Sequence, residues 1–482
     1  MGTHHSTEPD TDRRRLAGSL GVGSIVFMVV AAAAPLTVVA GTVPLGIGAG
    51  NGPAFPTTFA LCSAILLLFA VGFCAMSRHV PQAGAFYAYV ERGLGRPPGL
   101  GAAFLALVTY TTVQLAVYGY IGAVLAELVQ HWGGPALPWW PCAIVVVAIV
   151  GTLGYRHIEL SGRVLGVLLI AEVAIVLVMD AVVVATGGGS VEGLSTAFLH
   201  PGEVFSGGLG IALMFAIASF IGFEATAVFR DEARDPLRTV PRATYTALLV
   251  IGAFYTLSSW AVVSAWGDAA AVEQASADPG TMLITTITKV LGTAAGDIAE
   301  VLLVTSMFAA ILSFHNVLAR YFFALGNSGA LPEACGRSHP RHTSPHIASL
   351  TQTGTALVLI AVFALAGMDP VTQVFAWMAG TATLGVLALM ALTCAAVIVF
   401  FRRTRVDTRP WHTLAAPLAG LAGLLVCLWL TISNFPTLIG GSPTLATAIG
   451  AVLVAAFVIG AVWSRRTAPS AGPVPAAERS RT

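Results

Sequence analysis

Long apolar stretches alternate along this chain with short segments rich in charge, proline and glycine. Twelve of the stretches can each supply the roughly 20 helical residues that cross the hydrocarbon core of a bilayer. They fall near 19–48, 57–77, 99–129, 139–155, 162–186, 207–229, 242–266, 297–325, 347–367, 370–400, 413–433 and 443–464. The pattern predicts an all-α membrane protein with twelve transmembrane helices. Residues 1–18 and 465–482 are polar and read as disordered tails. No cleavable signal peptide is visible in "MGTHHSTEPDTDRRR".

Composition sharpens this reading. Of 482 residues, 56% are hydrophobic and only 10% are charged, against about 25% charged in a soluble domain. The mean hydropathy is +0.83. So few charges cannot cover a water-exposed surface, and a polytopic membrane protein follows. The six cysteines, Cys62, Cys74, Cys142, Cys335, Cys394 and Cys427, show no metal or disulfide spacing and read as small apolar residues.

The net charge of +1 is uninformative, but the placement of the cations is not. With the N-terminus inside, Arg13 to Arg15, Arg78, Arg92, Arg96, Arg156 and Arg163 fall on the cytoplasmic side. So do Arg230, Arg234, Arg238, Arg242, Arg320, Arg337, Arg341, Arg402, Arg403, Arg405, Arg409, Arg465, Arg466, Arg479 and Arg481. All 23 arginines then share one side, and Lys289 alone lies on the other. This is the positive-inside pattern. It predicts an even span count with both termini in the cytoplasm.

Most acidic residues fall in loops or at span ends, Asp180 and Asp297 among them. Two do not. Glu172 sits at the centre of span five in "GVLLIAEVAIVLV", and Glu224 in the inner half of span six. An acid at mid-membrane costs about 2.5–3.5 kcal/mol on insertion scales, faces a bundle interior or cavity, and often marks a proton or ion path. A structural acid bonded to a neighbouring helix is the other reading.

Spans one and six also look interrupted. Pro35 in "MVVAAAAPLTVVAG" has no N–H and clashes with the preceding turn, so span one is expected to open between Ala33 and Thr37. Span six pairs Ser219 with Gly222 in "IASFIGFEA". The two occupy matching places in two sets of five spans. Interrupted helices at corresponding positions in two halves point to a transporter binding site, and an odd number of spans per half forces the halves to be inverted.

Three motifs carry a family resemblance. "SRHVPQAGAFYAYVERGLGRPPG" (77–99), "SFIGFEATAVFRDEARDPLRTVPRA" (219–243) and "RYFFALGNSGALP" (320–332) resemble segments of the amino acid–polyamine–organocation permeases, in the expected order. The resemblance implies a leucine-transporter-like fold. Residues 19–186 would form the first five-helix repeat and 207–400 the inverted second, with helices 1 and 6 broken and 413–464 as two peripheral helices.

It also implies a division of labour at the breaks. The N–H groups of Leu36 and Thr37 at the start of the outer half-helix would take a substrate carboxylate, and carbonyls from Ser219 to Ile221 would take its ammonium. Ala33, Ala34 and Pro35 stand where many relatives carry a Gly-Ser-Gly tract. The amide donors survive that change, except at Pro35, but the hydroxyl does not. Phe220 falls where the family often places an aromatic lid, and Phe314 at a position that is aromatic in some relatives. Ordinary helix packing explains either ring equally well. Gln114 in the polar band "TYTTVQLAVY" is within reach of a substrate side chain, although interhelical bonding is the commoner use of such a residue. His315 and Trp377 are weaker candidates. Several proton-coupled relatives carry a lysine near Glu172, and the family carries a glutamate at the place of Glu224, which makes the two acids candidates for coupling and gating.

The expected function is import of amino acids across the cytoplasmic membrane, coupled to protons. A polyamine or other cationic amine is the alternative substrate, and exchange the alternative mechanism. The implied partners are a small-molecule substrate, a proton and the lipid bilayer, with no nucleic acid, metal or cofactor. A membrane-embedded enzyme would need a nucleophile or metal cluster. His4, His5, His131, His157, His200, His339, His342, His346 and His412 lie in loops, tails or span ends instead. A non-transporting sensor would need a signalling domain longer than either tail.

Overall fold

A computed structural model describes residues 20–80, 86–156, 162–191, 193–205, 208–228, 233–339 and 344–465. Both predicted tails lie outside the described residues apart from Arg465, with His4, His5, Arg13 to Arg15, Arg466, Arg479 and Arg481. Loop residues His157, Arg230, Arg341 and His342 also lie outside them, as do 81–85 and 229–232 of the quoted motifs.

Among the described residues the repetitive structure is helical and no strand forms. One isolated bridge joins Leu20 to Ala233. An apolar chain in hydrocarbon must satisfy its backbone internally, and helices do this within one segment. The elements are α1 (Val22–Ala33), α2 (Pro35–Leu45), α3 (Phe55–Ser77), α4 (Phe86–Leu94), α5 (Arg96–His131), α6 (Trp139–Tyr155) and α7 (Gly162–Thr186). They continue with α8 (Pro201–Val204), α9 (Leu209–Ala218), α10 (Ala225–Val228), α11 (Pro236–Trp266), α12 (Asp268–Ala277), α13 (Met282–Leu291) and α14 (Thr293–Asn327). The last are α15 (His346–Leu365), α16 (Ala376–Thr404), α17 (Ala416–Leu438) and α18 (Pro443–Trp463).

Nine helical segments among the described residues are long and apolar enough to cross a membrane. The difference from twelve has local causes. Predicted span one is split, and its second half runs on into span two as Pro35–Ser77, through a wide turn at Gly46–Asn51 that bends at Gly50 (φ −97, ψ −133). Predicted span six breaks into α9 and the four-residue α10. Predicted span four, α6, has 17 residues. Short helices fill stretches that the hydrophobic pattern left as loops: α4 before α5, and α12 and α13 between α11 and α14.

The two interruptions differ in kind. Between α1 and α2 only Ala34 leaves the helical conformation, at φ 47 and ψ 69. The expected opening from Ala33 to Thr37 is therefore narrower than the sequence suggested. Pro35 takes the first position of α2, where a missing N–H is no loss and its fixed φ suits the helix. Between α9 and α10, residues 219–224 form successive turns. Gly222 sits there at φ +113, a conformation open to glycine at little cost.

These interruptions lie at the centre. All 11 residues of α2 are buried, and α2 packs against α7, α9, α11, α13 and α14. α9 packs against α3, α16, α17 and the 46–51 turn. α18 buries only Leu453, Ala456 and Gly460 and lies at the periphery against α5.

Candidate functional site

Where α1 gives way to α2, the first amides of the new helix lack carbonyl partners within it. Ala34 N–H turns back to the Ala31 carbonyl (3.2 Å), Val38 N–H reaches Ala34 (3.1 Å), and Pro35 has no N–H. The amides of Leu36 and Thr37 remain. Tyr255 from α11 reaches the Ala33 carbonyl at the end of α1 (3.5 Å). No side chain of its own segment caps α2.

Glu172 of α7 approaches that end of α2. It is 5% exposed, and its carboxylate faces the Leu36 amide and the Ser306 hydroxyl of α14. Ser306 in turn accepts from Thr37 Oγ1 (3.1 Å). One oxygen, Oε2, is buried without a hydrogen-bond partner. A negative charge at a helix N-terminus is favoured by the free amides and the dipole.

The opposite wall is the 219–224 segment. Ser219 Oγ lies 3.0 Å from Thr42 Oγ1 of α2 and donates to the Phe215 carbonyl (2.8 Å). Among the described residues no donor engages the Ser219 and Ile221 carbonyls. Between the two breaks lies a cavity of about 70 Å³. Ala32, Ala33, Ala34, Thr37, Val38 and Thr42 line it from α1, α2 and the bend between them, and Ala218, Ser219 and Ile221 from the second break. α5 contributes Val113, Ala116 and Val117, and α14 contributes Ala310 and Phe314. Phe375, Ala379 and Ala382 complete it. Among the described residues none of these side chains is charged, and the polar side-chain groups of the lining are the hydroxyls of Thr37, Thr42 and Ser219.

A cavity bounded by two helix interruptions is the arrangement of a transporter, and the chain's similarities agree. The sequence model of the amino acid permease family matches residues 24–468. The chain belongs to that family. It is 23% identical to the low-affinity putrescine importer PlaP of Escherichia coli (strain K12) over 74% of this chain and 77% of the other. It is 23% identical to the branched-chain amino acid permease BcaP of Bacillus subtilis (strain 168), covering 80% and 83%. It is 24% identical to the L-asparagine permease of Salmonella typhimurium, covering 72% and 70%. The chain is thus a multi-pass membrane protein of a transporter family.

In this permease the expected site residues divide into three groups. Ala33, Ala34, Thr37, Ser219, Ile221 and Phe314 line the cavity. Pro35, Leu36, Phe220 and Gly222 belong to the interruptions without lining it. Phe220 packs instead on Phe59 and Tyr255 (ring centroids 6.4 and 6.2 Å). Gln114 is held between helices: its Nε2 donates to the Ile311 carbonyl (3.2 Å), and its Oε1 accepts from Gln352 (2.7 Å). His315 is likewise engaged, with Ser349 (2.8 Å).

Glu224 is 4% exposed and sits apart from the cavity lining. Its Oε1 accepts from Tyr110 of α5 (2.7 Å) and its Oε2 from the Gly222 amide (2.9 Å). It therefore fastens the turn to α5 and fixes the one residue there with positive φ. Asp180, which the sequence placed among the span-end acids, is only 2% exposed within α7.

Sequence reasoning missed Ser306, Tyr110 and the α5 and α16 walls. Tyr110 lies inside the polar band already singled out. Ser306 gave no signal beyond a hydroxyl in an apolar run. Val113, Ala116 and Val117, like Phe375, Ala379 and Ala382, follow helical spacing, but packing faces show the same spacing.

Proposed function

We propose that this permease imports small neutral amino acids across the cytoplasmic membrane, coupled to protons, by alternating access around the two breaks. The proposed frame is twelve spans, with residues 19–186 and 207–400 as inverted five-helix repeats, 413–464 peripheral, and both termini cytoplasmic. The arginine distribution supports that orientation, and the paired interruptions support the repeat.

The observation that carries the reading is Glu172 facing the Leu36 amide. Two carboxylates cannot share that amide. A proton on Glu172 removes the competition and leaves the Leu36 and Thr37 amides to the substrate carboxylate. The Ser219 and Ile221 carbonyls take the ammonium, and a lining of alanine and valine holds a small side chain. Substrate entry is thereby tied to proton entry, and falling pH strengthens amino acid binding. Glu224 keeps the 219–224 turn in place during the cycle.

A thermal-shift screen of purified protein tests the reading, because a ligand that binds the folded state raises apparent stability. L-Alanine is expected to stabilise it, and alaninamide to bind at least about tenfold more weakly, a loss of roughly 1.4 kcal/mol. Glu172→Gln is expected to bind L-alanine without pH dependence and to lose uphill, pH-driven uptake. Uptake with an unchanged response to the pH gradient would remove Glu172 from the coupling role.

The unpartnered Oε2 of Glu172 favours a second reading, in which its charge attracts a cationic amine. Stabilisation by putrescine but not by L-alanine would select it.

A further inference from the structure

A second buried acid on α7 has no part in this scheme. Asp180 follows Glu172 by eight residues, with Val176 between them, so all three belong to one stripe of the helix. Val176, Met179 and Val183 beside them are buried, whereas Ile170, Leu177, Val178 and Val184 are exposed. Asp180 Oδ2 accepts from Ser258 of α11 (2.8 Å). Its Oδ1, like Glu172 Oε2, is buried with no hydrogen-bond partner. Acids so placed inside a membrane protein characteristically belong to proton relays.

The helices packed on α7 are α1, α2, α11, α13 and α14. α1 and α2 contain no titratable residue. From α11, Tyr255 lies beside Glu172, while Arg238, Arg242 and Tyr245 belong to its opposite end. From α13, Lys289 is turned to the Ala265 carbonyl (3.0 Å) and the Trp266 ring (4.5 Å). On α14, Asp297 pairs with His131 (3.7 Å) and Glu300 shares their cavity. His315 bonds to Ser349, and Arg320 and Tyr321 lie near the end of the helix. Among the described residues, Ser258 is the hydrogen-bond partner of Asp180. Tyr255 and Ser258 are three residues apart on α11 and so share a side. Ser258 meets Asp180 and Tyr255 reaches the Ala33 carbonyl from that side.

We propose that Asp180 is the proton-loading residue ahead of Glu172. A proton enters from the Thr186 end of α7, the outer end in the proposed orientation, and binds Asp180 Oδ1. The carboxyl turns to present the proton to Ser258, whose oxygen takes it as its own hydroxyl proton leaves toward Tyr255; the Tyr255 hydroxyl proton passes to Glu172, both hydroxyls are restored, and Asp180 returns to the carboxylate. The two acids are about 12 Å apart along the helix axis, so the hydroxyls between them are needed. One proton moves and no other reactant is required. This rests on the reading of Glu172 as the coupling group.

The test uses the full chain in liposomes, with labelled L-alanine and labelled putrescine in parallel. The quantity read is the ratio of pH-driven uptake to counterflow exchange at equal pH. Asp180→Asn keeps shape and hydrogen bonding but carries no proton, and is expected to lower the ratio at least about tenfold. Asp180→Glu is expected to return it to within about threefold of wild type. As an independent reading, Ser258→Ala is expected to move the pH midpoint of uptake by at least about half a unit. A wild-type ratio in Asp180→Asn, a parallel fall of both activities, or an unmoved midpoint in Ser258→Ala overturns the proposal. Glu172→Gln separates the two levels. If it loses the ratio while Asp180→Asn keeps it, only the loading role fails. If it keeps the ratio, the coupling reading and this inference fail together.

Discussion

At the scale of single residues, Glu224 holds the second break by two bonds, one from Tyr110 of α5 and one from the Gly222 amide. Glu224 and Glu172 stand out because a carboxyl in hydrocarbon needs a reason. That Tyr110 and the Gly222 amide hold Glu224 depends on how α5 meets the turn, which no spacing reveals. Asp180 was misplaced because it lies six residues before the end of its run, where burial depends on the neighbouring helix. Tyr110→Phe removes the donor to Glu224 Oε1 and should destabilise the protein by about 1–3 kcal/mol, read as a lowered thermal midpoint. Glu224→Gln retains much of the bonding and should reduce transport moderately. Glu224→Ala should reduce it severely while the protein still inserts, and wild-type uptake by this variant would show that the glutamate has no part in the cycle.

At the scale of elements, the long apolar helices and both interruptions were legible, because Pro35 and Gly222 announce them. The extent of the first break was not: a proline opens a helix when it sits inside one, but here it begins the next one. The strain falls instead on Ala34, a non-glycine residue in left-handed conformation. Such a residue costs roughly 1–2 kcal/mol. Ala34→Gly should therefore keep or raise thermal stability and retain uptake. Ala34→Val puts a β-branched side chain at positive φ and into the cavity, and should lower both. Equal behaviour of the two variants would mean that the bend at Ala34 is unimportant. The short helices α4, α12 and α13 escaped notice because they have only 9 or 10 residues, too few to cross a bilayer.

At the scale of the whole molecule, the low charge content was enough to place the chain in a membrane, and three motifs were enough for its family. The cavity was not legible, since it is assembled from α1, α2, α5, α14, α16 and the second break, all distant in sequence. The central claim is that this cavity passes a small amino acid on a proton gradient. The direct measurement is accumulation of labelled L-alanine by purified protein in liposomes with acid outside, for wild type and Ala379→Phe. Ala379 lines the cavity and is 6% exposed, and a phenyl ring there fills the space between the breaks. The account predicts accumulation above equilibrium by wild type, and its loss in Ala379→Phe with the protein still folded. No gradient-driven accumulation by wild type, or equal accumulation by both proteins, would contradict it.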